Sequence, residues 1–236
     1  GIDNLRILVG GEGENGLLGK IEPNLQPEPG VYNDEVLAGL DYLLMELGKR
    51  DMTAVLYFNN AWEWSGGYTQ YVAWANNTPV LVPRVDGWFS YNTFAGEFVR
   101  NERAKQIFYD HVKYIVSRTN RYTGIKYIDD PAIFSWQISN EPRAFSSKEV
   151  SNKEAFAEWL ATSAKLIRSL DPNHMISTGS EGYYGCEWDM DLCEAIHAID
   201  EISYINCHVW PYNWKWMRGD HMREDLEQSC QYTEEY

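Results

Sequence analysis

Short apolar runs alternate with amphipathic helical stretches along this chain, and the long polar connections follow the apolar runs. Strand signals fall at 4–9, 54–58, 132–136, 175–178 and 204–208. Between them, 34–49 reads as a helix with Val36, Leu37, Leu40, Leu43, Leu44 and Leu47 on one face. The stretch 102–120 does the same with Ile107, Phe108, Val112, Ile115 and Val116. Ser151-Asn152-Lys153-Glu154 has the spacing of a capping box ahead of a helix through Leu170, which Asp171-Pro172 ends. Further helices are expected over 191–197 and 221–236, and 59–97 reads as a long aromatic loop. Repeated βα units favour a parallel sheet. No glycine fingerprint or phosphate loop follows the first strand, which weighs against a nucleotide-binding doubly wound sheet. Long loops after strands, with short returns before them, are the pattern of a (β/α)8 barrel that gathers function at one rim.

Polar and aromatic groups recur at that rim. Arg6 lies in the first strand, and Asn59, Asn60 and Trp62 follow the second. The third runs into Trp136-Gln137-Ile138-Ser139-Asn140-Glu141-Pro142-Arg143, Glu181 follows the fourth, and His208 closes the fifth. Each has an ordinary explanation alone: a structural ion pair, a loop carboxylate, a satisfied core histidine. Their repetition at one end of successive strands reads as an active-site rim. Proline after Glu141 disfavours helical backbone there, so the carboxylate is expected near the strand end, facing the space above the sheet.

Composition narrows the chemistry. The 236 residues carry a formal net charge of -15, which argues against nucleic acid or an anionic membrane surface as partner. The 10 Trp and 16 Tyr cluster partly in polar stretches, such as Trp62-Glu63-Trp64 and 210–216, and there they suit stacking on a ligand better than a core. No apolar run is long enough for a membrane span, no serine elbow or metal-ligand spacing occurs, and no cofactor is implied. Four cysteines allow three pairings that sequence cannot choose between; Cys207 reads as a buried thiol. Paired carboxylates with supporting Arg, His and aromatics suit glycosidic bond cleavage, in which one carboxyl protonates the leaving oxygen and a second acts across the sugar.

These residues resemble glycoside hydrolase family 5, a group of retaining (β/α)8 glycosidases. Within it, Pro29-Gly30-Val31-Tyr32, Asn59-Asn60 with Trp62, 66–74, Asp130-Pro131-Ala132-Ile133, Asn140-Glu141-Pro142-Arg143 and Ser180-Glu181-Gly182 resemble the endo-β-1,4-mannanases. The resemblance implies an α/β fold, an incomplete (β/α)8 TIM barrel with about strands two to six, as one catalytic domain over 1–236. It implies Glu141 as acid/base with a raised pKa, Asn140 on the sugar 2-hydroxyl, and Arg6 and His208 supporting the catalytic centre. Asn60, Trp62, Arg143, Glu181 and Trp210 match substrate-binding positions. Trp210 stands where the family carries Tyr, and Ala61 interrupts the Asn-Asn-Trp run. The family's nucleophile is expected outside this chain, because Thr233-Glu234-Glu235-Tyr236 continues a helix.

The implied activity is endo-cleavage of β-1,4-mannan by double displacement in a monomer. A β-1,4-glucanase of the same family and a non-catalytic carbohydrate-binding barrel stay open as alternatives. A polysaccharide substrate implies a secreted or periplasmic protein. The chain opens on Gly1-Ile2-Asp3-Asn4, as the interior of a longer protein would, so the lack of a leader leaves export open.

Overall fold

A computed structural model describes residues 1–17, 19–217 and 219–235. Four parallel strands, β1 (Asn4–Leu8), β2 (Thr53–Tyr57), β3 (Ile133–Gln137) and β4 (Met175–Ser177), form one sheet in sequence order. Arg6 pairs with Val55, Tyr57 with Gln137, and Gln137 with Ser177, so the carboxyl ends lie level. The crossovers carry α1 (Asp34–Gly48), α2 (Gly67–Asn76), α3 (Pro83–Ala95), α4 (Glu102–Val116) and α5 (Lys153–Leu170), and α6 (Met190–His197) and α7 (Met222–Glu235) follow β4.

Helix starts follow local chemistry. Asn33 Oδ1 accepts from the backbone N–H groups of Glu35 and Val36, and Asn101 Oδ1 from those of Arg103 and Ala104, satisfying first-turn donors of α1 and α4. α4 buries Phe108, Val112 and Ile115, and α5 buries Phe156, Trp159, Leu160 and Ile167. They pack in one core with Leu56, Phe58, Trp136 and Ile176 of the sheet. Each such side chain contributes about 1.5–3 kcal/mol through burial.

Below the sheet, buried Asp171 accepts from Trp136 Nε1 at 2.7 Å and lies 2.7 Å from His174 Nδ1. Burial pushes the Asp171 carboxyl up, but these bonds and two backbone N–H groups outweigh it and bring it down to about 2. This network ties β3 to the turn before β4 at the end opposite the rim.

Four expectations are corrected. The stretch 59–97 is not a loop, since α2 and α3 occupy most of it. α2 buries Gly67 to Ala73 without interruption, so no one-sided apolar stripe signals it. The capping box before α5 does not form; Asn152 instead donates its Nδ2 hydrogens to the carbonyls of Gly96, Ala144 and Phe145. Residues 204–208 run beside β4 but form no strand. Asn206 explains the difference: its Oδ1 accepts from Gly179 N and its Nδ2 donates to Ser180 O, replacing main-chain ladder bonds. Cys207 in that segment is half-buried, not buried. Among the described residues no helix is long and apolar enough to cross a membrane.

Candidate active site

Glu141 lies four residues past the end of β3, at φ 49° and 9% exposed. Its left-handed backbone is uncommon outside glycine. It is held by a backbone bond from Glu141 N to Gly179 O of 2.9 Å. Gly179 itself runs so close to Ser139 that a Cβ there would fall 1.7 Å from the Ser139 carbonyl oxygen. Only glycine fits, and the contact fixes where the loop after β4 passes Glu141.

Three donors converge on the Glu141 carboxylate. Trp62 Nε1 donates to Oε2 at 2.5 Å, Trp210 Nε1 to Oε1 at 3.0 Å, and His208 Nδ1 lies 2.8 Å from Oε1. Burial pushes the carboxyl up, but the hydrogen bonds from His208, Trp62 and Trp210 outweigh it and leave its pKa below the ordinary value. The expectation of a raised pKa is therefore corrected: indole and imidazole donors stabilise the anion more than burial destabilises it.

A hydrogen-bonded belt runs beneath this group across three strands. Arg6 donates from Nε to Gln137 Oε1 at 2.7 Å and from Nη1 to Asn140 Oδ1 at 2.9 Å. Asn140 Nδ2 donates to Asn60 Oδ1 at 2.9 Å, and Asn60 Nδ2 to Ser65 Oγ at 3.2 Å. Gln137 Nε2 donates to Ser177 Oγ at 3.0 Å. The Arg6 guanidinium also lies over the Tyr57 ring, 4.2 Å from its centroid.

Arg143 links the loops after β2, β3 and β4. Its Nε donates to Glu181 Oε2 at 2.6 Å and its Nη2 reaches the same oxygen at 2.5 Å. The guanidinium sits 4.8 Å from the ring centroids of both Trp62 and Tyr184, within cation–π range. Burial raises the Glu181 carboxyl to about 7, against the pull of Arg143 and with the push of Glu141.

An open cavity of about 990 Å³ covers these groups. Arg6, Trp62, Asn140, Glu141, Arg143, Glu181, His208 and Trp210 all line it. Asn60 does not; it is fully buried beneath and acts through Asn140. Sequence reasoning missed Gln137, Tyr57, Tyr184 and Trp88. Gln137 was the findable one, since with Ser135 it puts polar side chains at period two in an otherwise apolar strand. Glu234 lies on α7, as its helical context predicts, and Tyr236 falls outside the described residues. Among the described residues no group of three or more His, Cys, Asp or Glu is placed to hold a metal ion. A carboxyl group in an aromatic cleft, surrounded by donors and an Arg–Glu pair, is equipped to bind a neutral polyhydroxylated ligand and exchange a proton with it.

Comparison with known proteins agrees. A family model described as GH family 5 beta-mannosidase-like matches residues 1–236. Mannan endo-1,4-beta-mannosidase 1 of Solanum lycopersicum is 31% identical over 205 residues, covering 80% of this chain and 47% of the relative. Mannan endo-1,4-beta-mannosidase 7 of Arabidopsis thaliana is 31% identical over 202 residues, covering 80% and 44%. The chain thus spans about half the length of the curated relatives it matches. Among solved structures, a glycoside hydrolase family 5 mannosidase from Rhizomucor miehei aligns with a TM-score of 0.85 at 32% identity, covering 98% of this chain and 54% of that one. The endo-1,4-beta-D-mannanase of Thermotoga petrophila aligns with a TM-score of 0.71 at 25% identity, covering 90% and 61%. The parallel sheet and its helices are part of the (β/α)8 barrel of these enzymes, and the chain belongs to glycoside hydrolase family 5, in its β-mannosidase-like group.

Proposed function

We propose that this protein cleaves β-1,4-mannosidic bonds within mannan, glucomannan or galactomannan by double displacement, with Glu141 as acid/base. The observation that carries the reading is one carboxyl group at the floor of an aromatic cleft, met by three side-chain donors. In the first step a second carboxylate attacks the anomeric carbon, the glycosidic C–O bond breaks, and Glu141 gives its proton to the leaving oxygen. In the second, ionised Glu141 takes a proton from water, whose oxygen displaces the second carboxylate from the sugar. The donors around Glu141 favour the ionised form that the second step needs. For the first, a bound sugar must displace a donor and exclude water, both of which raise the pKa.

Glu181 is committed to Arg143, which suits it to hold that guanidinium in the cleft and not to attack the sugar. Asn140 spends Oδ1 on Arg6 and one Nδ2 hydrogen on Asn60, leaving its other Nδ2 hydrogen for a sugar hydroxyl. Trp62, Trp210, Arg143 and Glu181 form the walls that hold the sugars. A polymeric substrate, too large to enter most cells, supports the reading of a secreted or periplasmic protein.

One observation favours a second reading, a β-mannosidase acting on chain ends. The higher of the two TM-scores belongs to a protein named a mannosidase, not an endo-mannanase. Reducing-sugar release from mannan, glucomannan and carboxymethylcellulose, with product lengths resolved over time, tests both. Early mid-length products from mannan support the endo reading, mannose alone supports the second, and selective attack on carboxymethylcellulose overturns the mannan assignment.

A further inference from the structure

Beside Trp62, α3 presents groups to the same cavity that the proposed chemistry does not use. Trp88 lines the cavity wall yet stays 57% exposed. Its ring contacts, with Trp62 at 6.3 Å and Tyr91 at 5.8 Å, are both close to perpendicular, so neither neighbour lies flat on it. Asn92 follows four residues later, on the same side of α3, and also lines the cavity. Glu63 and Trp64, directly after Trp62, continue that wall.

The backbone is built to aim these groups. Asp86 Oδ2 accepts from Val82 N at 2.8 Å and closes the first turn of α3. Gly87 then breaks the helix at φ 80° and ψ 155°, and the helix resumes at Trp88. The resumed part is pinned to the Trp62 loop, because buried Tyr91 donates its hydroxyl to the Ala61 carbonyl at 2.6 Å. An anchored helix thus holds an uncovered indole, with an amide and a carboxylate nearby. A pyranose offers a C–H face to such a ring and a rim of hydroxyls to such polar groups.

We propose that Trp88, Asn92 and Glu63 form a distal subsite for a further hexose unit of a β-linked polysaccharide, apart from the unit on which Glu141 acts. The inference rests on the glycosidase reading. Trp88 stacks on the sugar, Asn92 and Glu63 bind its hydroxyls, and the subsite lengthens the segment of chain the cleft grips.

The test is calorimetric binding of β-1,4-manno-oligosaccharides of two to six units to the full-length protein carrying Glu141→Gln, which holds substrate without turnover. The same series is measured with Trp88→Ala or Trp88→Phe added. Trp88→Ala is expected to weaken the longer sugars about tenfold and leave mannobiose unchanged, with Trp88→Phe recovering part of the loss. An equal loss at every length makes Trp88 a support for Trp62 and overturns the subsite, as does no loss at any length. Cello-oligosaccharides run in parallel separate the two claims. If only they bind, with the same length-selective loss, the subsite stands and the mannan reading falls. If neither series binds, both fall.

Discussion

Replacing Trp62 with phenylalanine should raise the pKa of Glu141, because it removes one of the hydrogen bonds that hold the carboxyl below its ordinary value. Among the described residues the Trp62 indole is the one side-chain donor recorded on Glu141 Oε2, while His208 and Trp210 both address Oε1. A hydrogen bond to a charged group contributes about 1.5–3 kcal/mol, and one pKa unit corresponds to about 1.4 kcal/mol. Losing the donor destabilises the anion and leaves the neutral acid nearly untouched, so the shift is upward. Burial, which already pushes the carboxyl up, is then opposed by two side-chain donors instead of three. Phenylalanine keeps an aromatic ring for the Arg143 guanidinium to stack on and for the edge contact with Phe145, so packing changes little. Isotope-edited NMR titration of the glutamate carboxyl groups reads the shift without any need for turnover. Trp210→Phe is the internal control: its oxygen keeps His208, so its shift should be smaller. A Glu141 midpoint that stays put or falls in Trp62→Phe refutes the view that these donors set its protonation.

Three further outcomes follow from other parts of the molecule. Asp171→Asn should cost about 2 kcal/mol at neutral pH by chemical denaturation, because the carboxyl is held at about 2 against an ordinary 3.8. The wild type should lose that contribution as pH falls from about 4 to about 2, and the variant should lack this slope. Buried Glu12 accepts from Gly67 N at 3.0 Å and Tyr71 OH at 3.1 Å, bracing the loop that carries Trp62. Glu12→Ala should cost about 3 kcal/mol in the same assay by leaving those donors unpaired, with Glu12→Gln recovering most of it. Arg143→Lys should raise the Glu181 midpoint above its value of about 7 in an NMR titration, since an ammonium cannot reproduce the two-nitrogen contact.

Much of this site was legible because a parallel sheet gathers its strand ends at one rim. Arg6 sits inside the first apolar run and Asn140, Glu141 and Glu181 follow later ones, so level register brings them together at one rim, where His208 joins them. The donors on Glu141 were not legible. That an indole N–H would reach a carboxylate 79 residues away depends on the turn after β2 and on Arg143, not on local pattern. α3 was hidden because Gly87 interrupts its period and polar residues share its faces. The segment 204–208 was misassigned because Asn206 reads as a tolerable strand residue, while its amide in fact replaces the ladder. In this last case a side chain took over a backbone role, which periodicity alone does not record.

In the proposed mechanism Glu141 hands a proton to the bridging oxygen. The sharpest test of that step compares Glu141→Gln with wild type, in the full-length protein, on mannan and on an aryl β-mannoside whose phenol leaves without protonation. Bond cleavage in mannan should fall by about 10²–10⁴, while release of the activated phenol in the first turnover stays near wild type. Equal losses on the two substrates, or near-normal turnover of mannan by a folded variant, would contradict the assignment.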